Sequence, residues 1–131
     1  MSQDNSSGTP VSAIMTKNLI TVDSDTTVFQ IANLMEKGGI GAILVKKDNV
    51  PAGIITDRDF AIKITAHSYP IDTPVKRIMS SPLISIDPDS DLWVTSDLMS
   101  TKNVRKLPVI TDDKVVGIIT TSDIVKHIAD H

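Results

Sequence analysis

A mixed α/β fold built twice, two pseudo-symmetric β-α-β-β-α units stacked as one module, is what this sequence predicts. Three observations predict it. The stretch Gly53-Ile54-Ile55-Thr56-Asp57-Arg58-Asp59 returns 64 positions later as Gly117-Ile118-Ile119-Thr120-Thr121-Ser122-Asp123. Short apolar runs alternate with stretches whose apolar residues recur at helical spacing. One copy, about 55 residues, is too small to bury its apolar faces well alone, so two copies complete a core.

The elements follow in order. Residues 1–9 are small and polar and read as a frayed tail. Pro10 opens a short helix, because the N–H it lacks is not needed there; Val11, Ile14 and Met15 are its apolar face. Leu19-Ile20-Thr21-Val22 is a short strand. Asp23-Ser24-Asp25 offers side-chain oxygens to cap the next helix. Val28, Ile31, Ala32 and Met35 lie on one face of that helix, and Gly38-Gly39 stops it. Ala42-Ile43-Leu44-Val45 is a strand covered on both faces, and Lys46-Lys47-Asp48-Asn49 is a turn. A strand from Val50 to Ile55 follows, with Pro51 near its start. Thr56 or Asp57 then caps a helix through Phe60, Ala61 and Ile64.

After a polar connection over residues 67–73 the pattern restarts. Pro74-Val75 matches Pro10-Val11, and Ile78-Met79 matches Ile14-Met15. Leu83-Ile84-Ser85-Ile86 matches the first strand, and the register holds without a gap to Ile128. The organisation expected is a tail (1–9), a first repeat (10–66), a connection (67–73) and a second repeat (74–131).

Composition narrows the function. The chain has 131 residues, a net charge of −3, no cysteine and 3% aromatic residues. A negative chain with so few aromatics is a poor platform for nucleic acid. Without cysteine there is no disulfide, thiolate nucleophile or thiolate metal site. No apolar run approaches the roughly 18 residues of a membrane span, and the polar N-terminus is unlike a signal peptide. A soluble, cytoplasmic protein is expected. His67, His127 and His131 show no metal-ligand spacing, and the short catalytic motifs are absent, so the chain is expected not to be an enzyme.

The repeated junction carries what chemistry there is. A helix N-terminus offers N–H groups and a positive dipole end, which favours a phosphate. Thr56 and Thr120 add a hydroxyl there. Asp59 and Asp123, one turn in, can accept from both hydroxyls of a ribose. Read from the residues alone, helix capping explains the same pattern.

The pattern resembles the CBS domain, named for cystathionine beta-synthase, and in particular a stand-alone tandem pair, or Bateman module. The motifs are Ile14-Met15-Thr16 and Ile78-Met79-Ser80, Ile20-Thr21-Val22 and Ile84-Ser85-Ile86, Val104-Arg105-Lys106-Leu107-Pro108-Val109, and the two Gly-Ile-Ile-Thr-x-x-Asp junctions. The resemblance covers residues 10–130. It implies a regulatory module that binds an adenosine-containing ligand (AMP, ADP or ATP, sometimes S-adenosylmethionine or NAD) in the cleft between copies and requires no cofactor. It assigns ribose to Asp59 and Asp123, phosphate to the basic residues Arg58, Arg105 and Lys106, and the adenine ring to Ile20 and Ile84. Thr56, Thr120 and Ser122 complete the junctions, and Gly41 and Ala42, small where copy two has Arg105 and Lys106, leave room for a base. Phe29 and Trp93 flank the core face and mark a homodimer surface. The output then acts on a protein partner in trans. The alternative is a scaffold whose clefts bind nothing tightly.

Overall fold

The structure, a computed structural model, describes residues 8–130. Most of the expected N-terminal tail, and His131, lie outside the described residues. The chain forms two compact units: a mid-chain unit, Leu19–Leu83, and a split unit made from residues 8–18 together with residues 84–130.

The mid-chain unit holds a three-stranded sheet in the order β1-β2-β3, with β1 (Ile20–Asp23) parallel to β2 (Ala42–Lys47) and β3 (Val50–Thr56) antiparallel to β2. Helix α1 (Val28–Gly38) makes the crossover that a parallel pair requires. Its cap is Thr27, later in the chain than the expected Asp23-Ser24-Asp25. Thr27 and Gln30 form a reciprocal capping box. Asp23 instead accepts from the Asp25 N–H at 3.2 Å, and Asp25 pairs with Lys76 at 3.0 Å. Val28 and Ile31 are buried, but Ala32 is exposed, and Leu34 packs on the core beside Met35. Gly39 ends α1 at φ 59°, the left-handed conformation that glycine adopts without a Cβ clash.

Ile43, Leu44 and Val45 are all fully buried, as a continuous apolar run requires. The β2–β3 turn is only Asp48-Asn49, both at positive φ, which matches the right-handed twist of the strands. Pro51 sits beside the β2 irregularity at Val45/Lys46, where a ladder donor is not required. Helix α2 (Asp57–His67) packs Phe60 and Ile64 on the core.

The unit is closed by residues that open the second repeat. Val75 and Ile78 are buried in its core. Ser80 bridges the free edge of β3 through Ile54, with N–H···O distances of 3.2 and 2.8 Å. An edge strand is covered in this way. Lys63 Nζ donates to the Ile78 carbonyl at 2.7 Å. Gly53 lies under this segment: a Cβ there would meet Met79 Sδ at 2.5 Å and the Ser80 carbonyl at 2.9 Å.

The split unit repeats the plan. Helix α3 (Leu92–Lys102), strands β4 (Lys106–Thr111) and β5 (Lys114–Thr120), and helix α4 (Thr121–Ala129) follow in order. Its core gathers Val11, Ile86, Leu92, Met99, Leu107, Val109, Ile119 and Ile124. Burying a side chain of this size contributes about 1.5–3 kcal/mol. Here the opening segment of the first repeat closes the unit: Val11 is buried in the core, and Thr16 bridges Ile118 at the edge of β5, both bonds 2.8 Å. The helix expected at Pro10 is a single 3₁₀ turn, Val11–Ala13, and Pro10 precedes it in extended conformation.

One expected strand is missing. Leu83-Ile84-Ser85-Ile86 does not pair as β1 does; only Ile86 bridges Val109. Two prolines explain it. Ser24 N–H bonds the Lys46 carbonyl at 2.9 Å, and its counterpart, Pro88, has no N–H. Pro108, at the position of Leu44, cannot donate to the Ile84 carbonyl. The bonds flanking Ile86 are therefore lost, and its own two, both 3.0 Å, remain.

Candidate functional site

At the first junction β3 runs into α2. Ala42 faces Thr56 across the ladder, and the preceding Gly41 carbonyl accepts the Asp57 N–H at 2.9 Å. Thr56 is the N-cap, and its hydroxyl accepts the Asp59 N–H at 3.1 Å. The Arg58 N–H donates to Asp57 Oδ1 at 2.8 Å. The first three N–H groups of α2 are thus all taken by the protein. That corrects the expectation that they stand open to a phosphate here. The half-buried Asp59 carboxylate has no hydrogen-bond partner among the described residues. The Arg58 side chain is exposed and likewise makes no described pair.

At the second junction β5 runs into α4 with the same backbone. Lys106 faces Thr120, and the Arg105 carbonyl accepts the Thr121 N–H at 3.0 Å. Thr120 accepts the Asp123 N–H at 3.1 Å. The carboxylate behaves differently. Asp123 Oδ2 accepts the Thr120 N–H at 3.0 Å, closing a capping box, and takes the Thr16 hydroxyl at 3.4 Å. The Ser122 N–H has no partner among the described residues, and Ser122 is exposed.

The structure brings Gly41, Ala42, Thr56, Arg58 and Asp59 together at one junction, and Arg105, Lys106, Thr120, Ser122 and Asp123 at the other. Ile20 and Ile84 stand apart from them. Ile20 lies on β1, with β2 between it and β3. It lines a shallow groove of about 620 Å³ along α1, with Gln30, Leu34 and Lys37. Gly41 and Asp57 line a different groove, of about 550 Å³, with Ile40 and Phe60. Ile84 is exposed on the segment that fails to form a strand. The charge around the junctions is also unequal. The first sets two carboxylates, Asp57 and Asp59, against Arg58. The second sets Asp123 against Arg105 and Lys106.

Two residues at the junctions were not among the expected site residues. Asp57 holds the Arg58 N–H, and Thr16 holds Asp123. Thr16 had a signal: both repeats place a hydroxyl after Ile-Met, Thr16 in one and Ser80 in the other.

Two such units, each with a hydroxyl-capped strand-to-helix junction, define a tandem regulatory module. The family model described as "CBS domain" matches residues 11–65 and again 75–130, so this chain belongs to the CBS-domain family and is a pair of CBS domains. It is 36% identical over 110 residues to the "CBS domain-containing protein YhcV" of Bacillus subtilis, covering 84% of this chain and 79% of that protein. It is 34% identical to the uncharacterized protein MK0525 of Methanopyrus kandleri, covering 88% of this chain but spanning only 61% of that one. Among solved structures, the CBS domain pair of protein MJ0100, in complex with 5′-methylthioadenosine and S-adenosyl-L-methionine, superposes with a TM-score of 0.82 at 28% identity, over 93% of this chain and 97% of the other. Among the described residues, no helix is long and apolar enough to cross a membrane.

Proposed function

We propose that this CBS domain pair is a regulatory module that binds an adenosine-containing ligand at a strand-to-helix junction and acts on a protein partner in trans. The observation that carries the proposal is the doubled junction. In each unit a threonine hydroxyl caps the helix and places a carboxylate, Asp59 or Asp123, one turn in. A carboxylate so held accepts both hydroxyls of a ribose diol, through charge-assisted bonds that are stronger than neutral ones. The similar MJ0100 pair, solved with two adenosine derivatives, supports the same ligand class here. Arg58, or Arg105 and Lys106, supplies cations for a phosphate such as that of AMP, ADP or ATP. Ile20 and Ile84 are the apolar candidates for the adenine ring.

Thermal unfolding with AMP, ADP, ATP, adenosine, S-adenosylmethionine and NAD tests this. A ligand at 100 times its dissociation constant adds about 2.7 kcal/mol, which is several degrees for a chain of this size. A flat response to all of them favours the scaffold.

We propose in addition that the module is a homodimer. Phe29 and Trp93, at matching positions of α1 and α3, are 55% and 51% exposed. Aromatic side chains of this kind are favoured in interfaces. Sedimentation at micromolar concentration should give twice the chain mass; a monomer refutes the dimer.

A further inference from the structure

We infer that Met15 and Met79 are a matched pair of oxidation sites. Conversion of their thioethers to sulfoxides by a hydroperoxide loosens the segment that closes each unit. Nothing in this chemistry depends on a bound ligand.

Three observations carry it. First, the two sulfurs hold the same place in the two units. A Cβ on Gly53 would meet Met79 Sδ at 2.5 Å and Cγ at 2.8 Å; on Gly117 it would meet Met15 Sδ at 2.5 Å and Cγ at 2.9 Å. Each thioether therefore fills the space that a side chain on β3 or β5 would take. A glycine in a strand permits that close approach, and an unbranched, adaptable side chain exploits it. Second, both methionines are half-buried, within reach of a small peroxide, whereas Met99 is 3% exposed in its core. The chain has no cysteine, so its thioethers are the sulfur that oxidises.

The third observation is what each sulfur holds down. The residue after it makes the two backbone bonds that cover a strand edge. Thr16 bonds Ile118, both at 2.8 Å, and Ser80 bonds Ile54 at 3.2 and 2.8 Å. The residues before it plug the core: Val11 in the split unit, Val75 and Ile78 in the mid-chain unit. In the split unit the Thr16 hydroxyl also rests on Asp123 Oδ2 at 3.4 Å.

In the reaction a sulfur lone pair attacks one peroxide oxygen and the O–O bond breaks. Sulfur gives up two electrons and gains an S–O bond; the second oxygen takes a proton and leaves as water. The product is a polar group in an apolar contact, which costs free energy unless a donor satisfies it. An oxygen directed at the strand has no room over the glycine. One directed outward draws the group toward water. Either way the segment loosens and the strand edge beneath it opens.

The test treats the whole chain with hydrogen peroxide and follows peptide masses, amide exchange and melting temperature together. Met15 and Met79 should each gain one oxygen at least about tenfold faster than Met99. The amides of Thr16, Ile118, Ile54 and Ser80 should then exchange at least about tenfold faster. The melting temperature should fall by about 4 °C or more. The two epimer-specific methionine sulfoxide reductases, with dithiothreitol, should restore both; the oxygen leaves as water and the dithiol becomes a disulfide. Met15→Leu combined with Met79→Leu keeps the apolar bulk and should abolish the response. Met35→Leu, which alters a half-buried methionine away from both closing segments, should leave it intact. If the double variant fails to fold, each single variant should protect the edge of its own unit alone. Oxidation of Met99 ahead of Met15 and Met79 overturns the inference. So does an oxidised chain whose edge amides exchange at the original rate, or a doubly substituted chain that still loosens under peroxide.

Discussion

At Thr56 and Thr120 the backbone is the same device, and the side chains around it are not. Both threonines cap a helix, both receive the N–H three residues on, and both helices open with an N–H clamped by the carbonyl of the residue just before the neighbouring strand. Yet one aspartate is drawn into the cap and the other is left out. The surroundings differ as well. In the split unit the Thr16 hydroxyl reaches Asp123, whereas in the mid-chain unit its counterpart Ser80 makes no side-chain bond to Asp59 among the described residues. A repeated motif thus preserves the chain path, while the hydrogen bonding of its carboxylate differs between the two units.

Paired substitutions, one in each unit, test how far the two units are alike. The largest effect should come from the cores, where the units are alike. Ile55→Ala and Ile119→Ala each remove a fully buried side chain and should each cost about 2–5 kcal/mol in denaturant unfolding. Very unequal costs would show that the two cores are not equivalent. Next come the glycines under the crossing segments. A Cβ at Gly53 or Gly117 would stand 2.9 or 3.0 Å from a backbone oxygen, so Gly53→Ala and Gly117→Ala should each destabilise by about 1–3 kcal/mol. A stabilised variant would mean that the segment lifts away freely.

The junctions should then diverge. Asp123→Ala removes a carboxylate that accepts two bonds, and Asp59→Ala removes one that accepts none. Thermal denaturation of the ligand-free chain should show Asp123→Ala the less stable by about 0.5–1.5 kcal/mol. Equal melting temperatures would remove the contrast. The smallest effect belongs to the 3.4 Å contact. Thr16→Val should cost about 0.5 kcal/mol or less, and Ser80→Ala about nothing. A larger loss at Ser80 would reverse the assignment of which junction is held.

Much of the fold was legible, because it depends on local rules. Gly39 ends α1, the Asp48-Asn49 and Asp112-Asp113 pairs take the positive φ of a two-residue hairpin turn, and Thr56 caps α2. The missing strand was legible too, for Pro88 and Pro108 stand in the sequence where the first repeat has Ser24, just after β1, and Leu44, in β2. The apolar run Leu83-Ile84-Ser85-Ile86 conceals it, because the two lost donors lie outside that run. The caps at Thr27 and Asp91 were displaced from the expected aspartates by one short turn, in which Asp25 N–H bonds Asp23 and Asp89 N–H bonds Asp87. The state of Asp59 and Asp123 was not legible. Both motifs place Thr and Asp at the same spacing, and Thr16, over a hundred positions away in the chain, contacts Asp123. Periodicity also cannot say which partner a short apolar segment will choose, so the places of Val11 and Val75 had to come from packing.

Those two valines carry a practical consequence. Each repeat keeps its opening turn in the other repeat's hydrophobic interior, so a stop codon after residue 66 would not release an intact half-protein. The fragment would lack Val75 and Ile78, and the outer rim of β3 would lose its bridge to Ser80, leaving bare amides ready to recruit a neighbouring molecule. A circular permutant opened near residue 18 keeps the mid-chain half whole, and makes a safer starting point for dissecting the two.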